Sequence, residues 1–144
     1  MKVFIASDHA GFELKEYLKK NLPQVQFEDL GTHDTQSVDY PDFAAKLVEK
    51  MPIEAPEKNP DVFGILVCGS GQGMAIKANK YSHIRAALCW DHTSAKLSRE
   101  HNNANVLCLG GRLIPFRTAV EMAQIFFKTE FAGGRHANRV GKLC

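Results

Sequence analysis

Five short apolar runs, near residues 2–7, 25–30, 63–68, 85–90 and 105–110, alternate with amphipathic stretches, and few folds accept that rhythm. Runs of this length suit buried strands, and the intervening stretches carry apolar residues at helical spacing. Phe12, Leu14, Tyr17, Leu18 and Leu22 share one face, with Asp8 ahead of them as a capping candidate. A second helix begins near Pro41, which suits a first turn because it has no N–H to lose, and turns Phe43, Ala44, Leu47, Val48 and Met51 inward. Shorter helices are expected over Met74–Ala78 and Thr93–Glu100, a long one from Pro115 to about Phe131, and a last one after Gly133 and Gly134. Pro52, Pro56 and Pro60 predict a surface loop without regular structure. The expected class is therefore α/β: a three-layer α/β/α sandwich on an open five-stranded parallel sheet, Rossmann-like, with residues 1–144 as one domain.

Composition removes several function classes. A formal net charge of +2 is too small to hold a nucleic acid unless it is concentrated. The excess lies after residue 111, where Arg112, Arg117, Lys128, Arg135, Arg139 and Lys142 face only Glu121 and Glu130. Arg135 and Arg139, four apart on a helix, suit a small phosphate, because guanidinium forks match its oxygens. Cys68, Cys89 and Cys108 sit in or at the end of apolar runs, and Cys144 ends the chain, a reduced cytosolic pattern. The N-terminal apolar run becomes charged too soon for a secretory signal, and no run approaches the roughly 18 residues of a membrane span. The expectation is a cytoplasmic protein with no membrane or nucleic-acid partner.

The chemistry concentrates where the third apolar run ends on Cys68 and enters Gly69-Ser70-Gly71-Gln72-Gly73. A cysteine at the end of a buried strand is commonly just a small apolar residue. Here a helix starting after Ser70 would aim its positive end and bare N–H groups at the sulfur, stabilising its anion, and the same donors could hold an oxyanion. A thiol base for proton abstraction is the implied role. The glycines are not the dinucleotide fingerprint and follow the third run rather than the first. Asp8 and His9 end the first strand, where open parallel sheets place ligands, although an N-cap aspartate with an incidental histidine would look the same. His101 and Asn102 fall in a polar stretch before the fifth strand. His33, His83 and His92 have no spacing partner, and no cluster resembles a zinc site, so no metal is expected.

Taken together, Ser7-Asp8-His9-Ala10-Gly11, Asp39-Tyr40-Pro41, Cys68-Gly69-Ser70-Gly71, Ala78-Asn79-Lys80, Ser98-Arg99-Glu100-His101-Asn102, Gly110-Gly111-Arg112 and Gly134-Arg135-His136 through Arg139 resemble the type B ribose-5-phosphate isomerases. The resemblance runs from the first strand to the C-terminal arginines. It implies interconversion of ribose 5-phosphate and ribulose 5-phosphate in the pentose phosphate pathway, without metal or cofactor, on a sheet of order 2-1-3-5-4. It also implies a homodimer, or a homotetramer of paired dimers, with active sites shared between subunits. By the same resemblance Cys68 moves the proton between C2 and C1, Ser70 orients the thiol or substrate, His101 opens the sugar ring, and Asp8 holds the exchanging hydroxyls. Backbone amides of Gly69, Gly71 and Gly73, with Asn102, would stabilise the enediolate. Tyr40 would line the sugar pocket, and His9, Arg112, Arg135, His136 and Arg139 would bind phosphate. One branch of the family carries a glutamate base just after the third turn glycine, where this chain has Met74. Relatives acting on galactose 6-phosphate or allose 6-phosphate make a hexose the runner-up substrate. A non-catalytic phosphosugar-binding module or a nucleotide-binding protein are the alternatives from other classes.

Overall fold

The computed structural model describes residues 1–54 and 56–143; Ala55, within the proline-rich loop, and Cys144 lie outside them. The described chain runs β1 (Lys2–Ser7), α1 (Phe12–Asn21), β2 (Gln26–Asp29), α2 (Tyr40–Lys50), β3 (Val62–Cys68), α3 (Gln72–Ala78), β4 (Ala86–Leu88), α4 (His92–Asn102), β5 (Val106–Gly110), α5 (Phe116–Lys128) and α6 (Arg135–Val140). All strand pairs are parallel, in the order β2-β1-β3-β5-β4. Period-two alternation sorts the strand side chains onto two faces. Val3, Ile5, Ile65, Val67, Leu107 and Leu109 pack under α1 and α5, while Phe4, Ala6, Leu66, Cys68, Val106 and Cys108 pack under α2 and α3. Burial on both faces explains why these strands read as continuous apolar runs.

Three local readings change. Asp8 does not cap α1: the cap position is Gly11, and the Asp8 carboxylate instead accepts the Gly11 N–H at 3.0 Å, organising the turn before the helix. The loop between Pro52 and Pro60 contains one 3-10 turn, Pro56–Lys58. Helix α5 ends at Lys128, where the chain turns extended at Thr129.

Lys15 was not anticipated. It lies on the inner side of α1 with its side chain fully buried, and its ammonium meets Asp29 at 2.6 Å and Glu16 at 3.1 Å. Burial raises the pKa of Asp29, but hydrogen bonds from Lys15, Lys19 and the Gly31 N–H outweigh it and hold the carboxylate below its usual range. A depressed folded-state pKa stabilises the fold above the unfolded value, and that stability is lost as pH falls through the folded value. Asp29→Asn should therefore cost about 3–5 kcal/mol in chemical denaturation at neutral pH, because it strips a buried ammonium of its main partner. The wild type should also lose stability below roughly pH 4 more steeply than the variant. A neutral-pH loss under about 1 kcal/mol would show that Glu16 alone satisfies Lys15.

Candidate active site

The strand order reverses direction between β1 and β3, and the crevice at the carboxyl ends of such strands is where open α/β sheets bind ligands. A cleft of about 500 Å³ opens there, lined by Asp8, His9, Tyr40, Cys68, Gly69, Ser70, Gly73 and Arg112. Cys68 ends β3, is 5% exposed, and receives the Gly71 N–H on its Sγ at 3.1 Å. Gly71 adopts φ +78, and a Cβ there would stand 2.9 Å from the Leu109 main chain, so the turn that aims this donor depends on glycine. Helix α3 has only seven residues. Of the positive helix end and bare N–H groups that the sequence aimed at the sulfur, the contact present is one direct N–H bond from the turn. The first helical hydrogen bond runs from Ala75 N–H to Gly71 O, which leaves the Gly73 amide ahead of the ladder, as oxyanion binding requires. Ser70 Oγ accepts the Gln72 N–H at 3.4 Å and keeps its own hydrogen to donate.

The walls follow from neighbouring elements. His9 accepts the Val38 N–H on Nδ1 at 3.2 Å, so the neutral ring carries its proton on Nε2 and offers a donor. No sequence signal announced Val38, because its contribution is a main-chain N–H. Tyr40 opens α2 with its ring over Gly73; a Cβ on that glycine would fall 2.5 Å from the ring. Arg112 is tied by its N–H to the Gly69 carbonyl at 3.0 Å, and its side chain runs alongside Gly69, within 3.5 Å of where a Cβ would stand. Across the turn, a Cβ on Gly110 would stand 2.8 Å from the Ser70 carbonyl oxygen, so peptide backbone forms this side of the cleft.

The remaining candidates gather elsewhere. Helix α4 begins in a reciprocal capping box between Asp91 and Ser94 and continues to Asn102, capped by Asn103 at φ 48. His101 and Asn102 therefore stand in its last turn rather than in a loop. The His101 ring stacks on His136 of α6, centroids 4.2 Å apart. Partial desolvation, then the positive charge of His101, Arg135 and Arg139, pushes the His136 pKa below the ordinary histidine value. Arg135 and Arg139 are exposed on α6, as their spacing predicted. None of these five residues lines the Cys68 cleft. Asn102 borders a larger cavity of about 630 Å³ with Val140 and Leu143, whose lining contains no thiol, carboxylate or imidazole. Among the described residues, no group of three or more His, Cys, Asp or Glu side chains is placed to hold a metal ion, and no helix is long and apolar enough to cross a membrane.

A doubly wound parallel sheet whose central strands lead to an amide-bound thiol, a buried carboxylate and an arginine is that of an α/β enzyme, and the switch point is its candidate site. The family model for Ribose/Galactose Isomerase matches residues 3–143, and the chain belongs to that family. Ribose-5-phosphate isomerase B of Escherichia coli is 36% identical over 96% of this chain and 91% of its own. The crystal structure of a ribose 5-phosphate isomerase from Thermotoga maritima superposes with a TM-score of 0.90 at 50% identity, covering 99% of this chain and 96% of that one. The ribose-5-phosphate isomerase B of Mycoplasma genitalium, solved with bound ribulose-5-phosphate, gives a TM-score of 0.88 at 40% identity, over 99% and 93% of the two chains.

Proposed function

We propose that this chain is an aldose-ketose isomerase that interconverts D-ribose 5-phosphate and D-ribulose 5-phosphate with Cys68 as the base. The observation that carries the reading is the Cys68 sulfur, held by a backbone N–H in one cleft with Asp8, His9 and Arg112. The Cys68 thiolate removes the proton from C2 of the open-chain aldose, and the freed electron pair forms the C1–C2 double bond of a cis-enediolate as charge moves to the C1 oxygen. The amides of Gly69 and Gly73, with Asn102, stabilise that charge, whereas the Gly71 amide, also expected there, is taken by the Cys68 sulfur. Asp8 moves the hydroxyl proton from O2 to O1, and the thiol returns its proton to C1. Ser70 orients the sugar oxygens, and Tyr40 packs against the sugar. His9, Arg112, Arg135, His136 and Arg139 grip the phosphate. The names of the solved relatives favour a pentose over a hexose 6-phosphate.

His101, Asn102, Arg135, His136 and Arg139 stand apart from the thiol cleft of their own chain, which supports a homodimer in which each cleft is completed by its partner. A coupled assay tests the whole reading: ribose 5-phosphate should turn over with kcat/KM at least about tenfold above galactose 6-phosphate and allose 6-phosphate. Binding without turnover by folded protein would favour a phosphosugar-binding module. Stabilisation by nucleotides but not sugar phosphates would favour a nucleotide-binding protein.

His101→Asn should impair turnover of the cyclic sugar phosphate far more than that of a substrate supplied in open-chain form. Ring opening moves a proton between the anomeric hydroxyl and the ring oxygen, which suits an imidazole, and an open chain has no such need. Equal losses with both substrates would take His101 out of that role.

A further inference from the structure

The last turn of α4 is held from outside the helix. Asn103, 3% exposed, follows Asn102 directly and ends the helix in a left-handed conformation that asparagine tolerates. Its N–H donates to the Arg99 carbonyl at 3.1 Å, its carbonyl accepts Arg85 Nε at 3.0 Å, and its Oδ1 accepts Arg99 Nη1 at 2.9 Å. The remaining side-chain group, Nδ2, donates to Glu57 Oε1 at 2.5 Å. That same oxygen accepts Arg85 Nη2 at 3.4 Å. Arg99 is itself fixed, donating to the Ala104 and Thr129 carbonyls, with its guanidinium near the Phe63 and Phe126 rings. Burial and the charge of Arg85 push the Arg99 pKa down, and the charge of Glu57 opposes them. Glu57 lies on the single 3-10 turn of the proline-rich loop, far in sequence from every residue it bonds.

We propose that Glu57 is a positioning residue: the proline-rich loop delivers its carboxylate to Asn103 and Arg85, and this clamp sets the orientation of His101 and Asn102 at the end of α4. The inference rests on the catalytic reading of those two residues. Three prolines limit the conformations of the loop, so the carboxylate is held ready at small entropic cost. A clamp acting on orientation should show itself in turnover more than in substrate affinity.

In Glu57→Ala, kcat for ribose 5-phosphate should fall by about tenfold with KM within about twofold, since small misplacements of reacting groups are costly. Glu57→Gln should recover most of that loss, because an amide oxygen still accepts the Asn103 Nδ2–H. Asn103→Gly keeps a residue at ease at φ 48 and removes the clamped side chain together with its bond to Arg99, so its loss should be at least that of Glu57→Ala. The double variant should be no slower than the worse single one, as expected of two residues acting through one contact. The His101 Cε1–H resonance, shifted by the stacked His136 ring, should move toward its free value in both single variants. An unchanged kcat in Glu57→Ala, or single losses that multiply in the double variant, overturns the proposal. If Glu57→Ala does not fold, kcat and the His101 resonance of Asn103→Gly decide the same question. A wild type inert toward ribose 5-phosphate would sink the catalytic reading instead, and the His101 resonance would still report on the clamp.

Discussion

In a Cys68→Ala variant, isomerisation falls by at least about a hundredfold while the protein stays folded and binds phosphate, because only the positioned base is gone. The side chain removed is small and leaves the Gly71 N–H without its sulfur acceptor, a cost of about 1 kcal/mol that a sheet packed on both faces absorbs. Cys68→Ser should not restore the rate. A serine hydroxyl in that place keeps an acceptor for the Gly71 N–H but lacks the basicity to take a carbon-bound proton without a base of its own. Alkylation of wild-type protein should inactivate it, and bound sugar phosphate should slow that loss. Cys89 and Cys108 compete poorly for the reagent: burial pushes the Cys89 thiol up to about 11 and the fully buried Cys108 well above the usual cysteine range. Near-normal activity in folded Cys68→Ala would move the base assignment to Asp8, the buried carboxylate in the same cleft.

Mixing two dead variants should produce a live enzyme. When Cys68→Ala and His101→Asn subunits exchange freely, half of the dimers contain one of each, and each such dimer has one cleft with both residues intact. About a quarter of all sites should therefore work, from a starting activity near zero in either variant alone. The basis is the separation of the thiol cleft from the stacked His101 and His136, neither of which lines that cleft. Tagged subunits establish that exchange has occurred. No recovery after verified exchange would mean that each chain completes its own site, and the shared-site reading would fail.

What could be read from residues alone divides by the range of the interaction. The three central strands, β1, β3 and β5, were legible because both their faces are apolar, and the thiol turn because strand, alternating glycines and helix follow one another directly. The end of α4 was not, since it closes on Asn103 in a left-handed cap whose side-chain partner Glu57 lies many residues away. Lys15 escaped for the same reason: its partner Asp29 is on a different element, strand β2, and a lysine beside Leu14 looks like the solvent edge of an amphipathic face. His9 was found as a residue, but the direction in which it offers its proton is decided by a main-chain N–H with no side-chain signature. The separation of the candidate residues between two places in the fold has no sequence signal of its own; only the family resemblance suggested it.

The thiol turn interlocks with the last residues of β5 through main-chain atoms, Gly71 against Leu109 and Gly110 against the Ser70 carbonyl. Such a wall has few side chains for a mutation to exchange. Side chains of the lining that could be exchanged to admit a longer or differently branched sugar are Tyr40, 40% exposed with its ring against Gly73, and Leu113, 67% exposed. Those two positions are where a library aimed at altered substrate range should start.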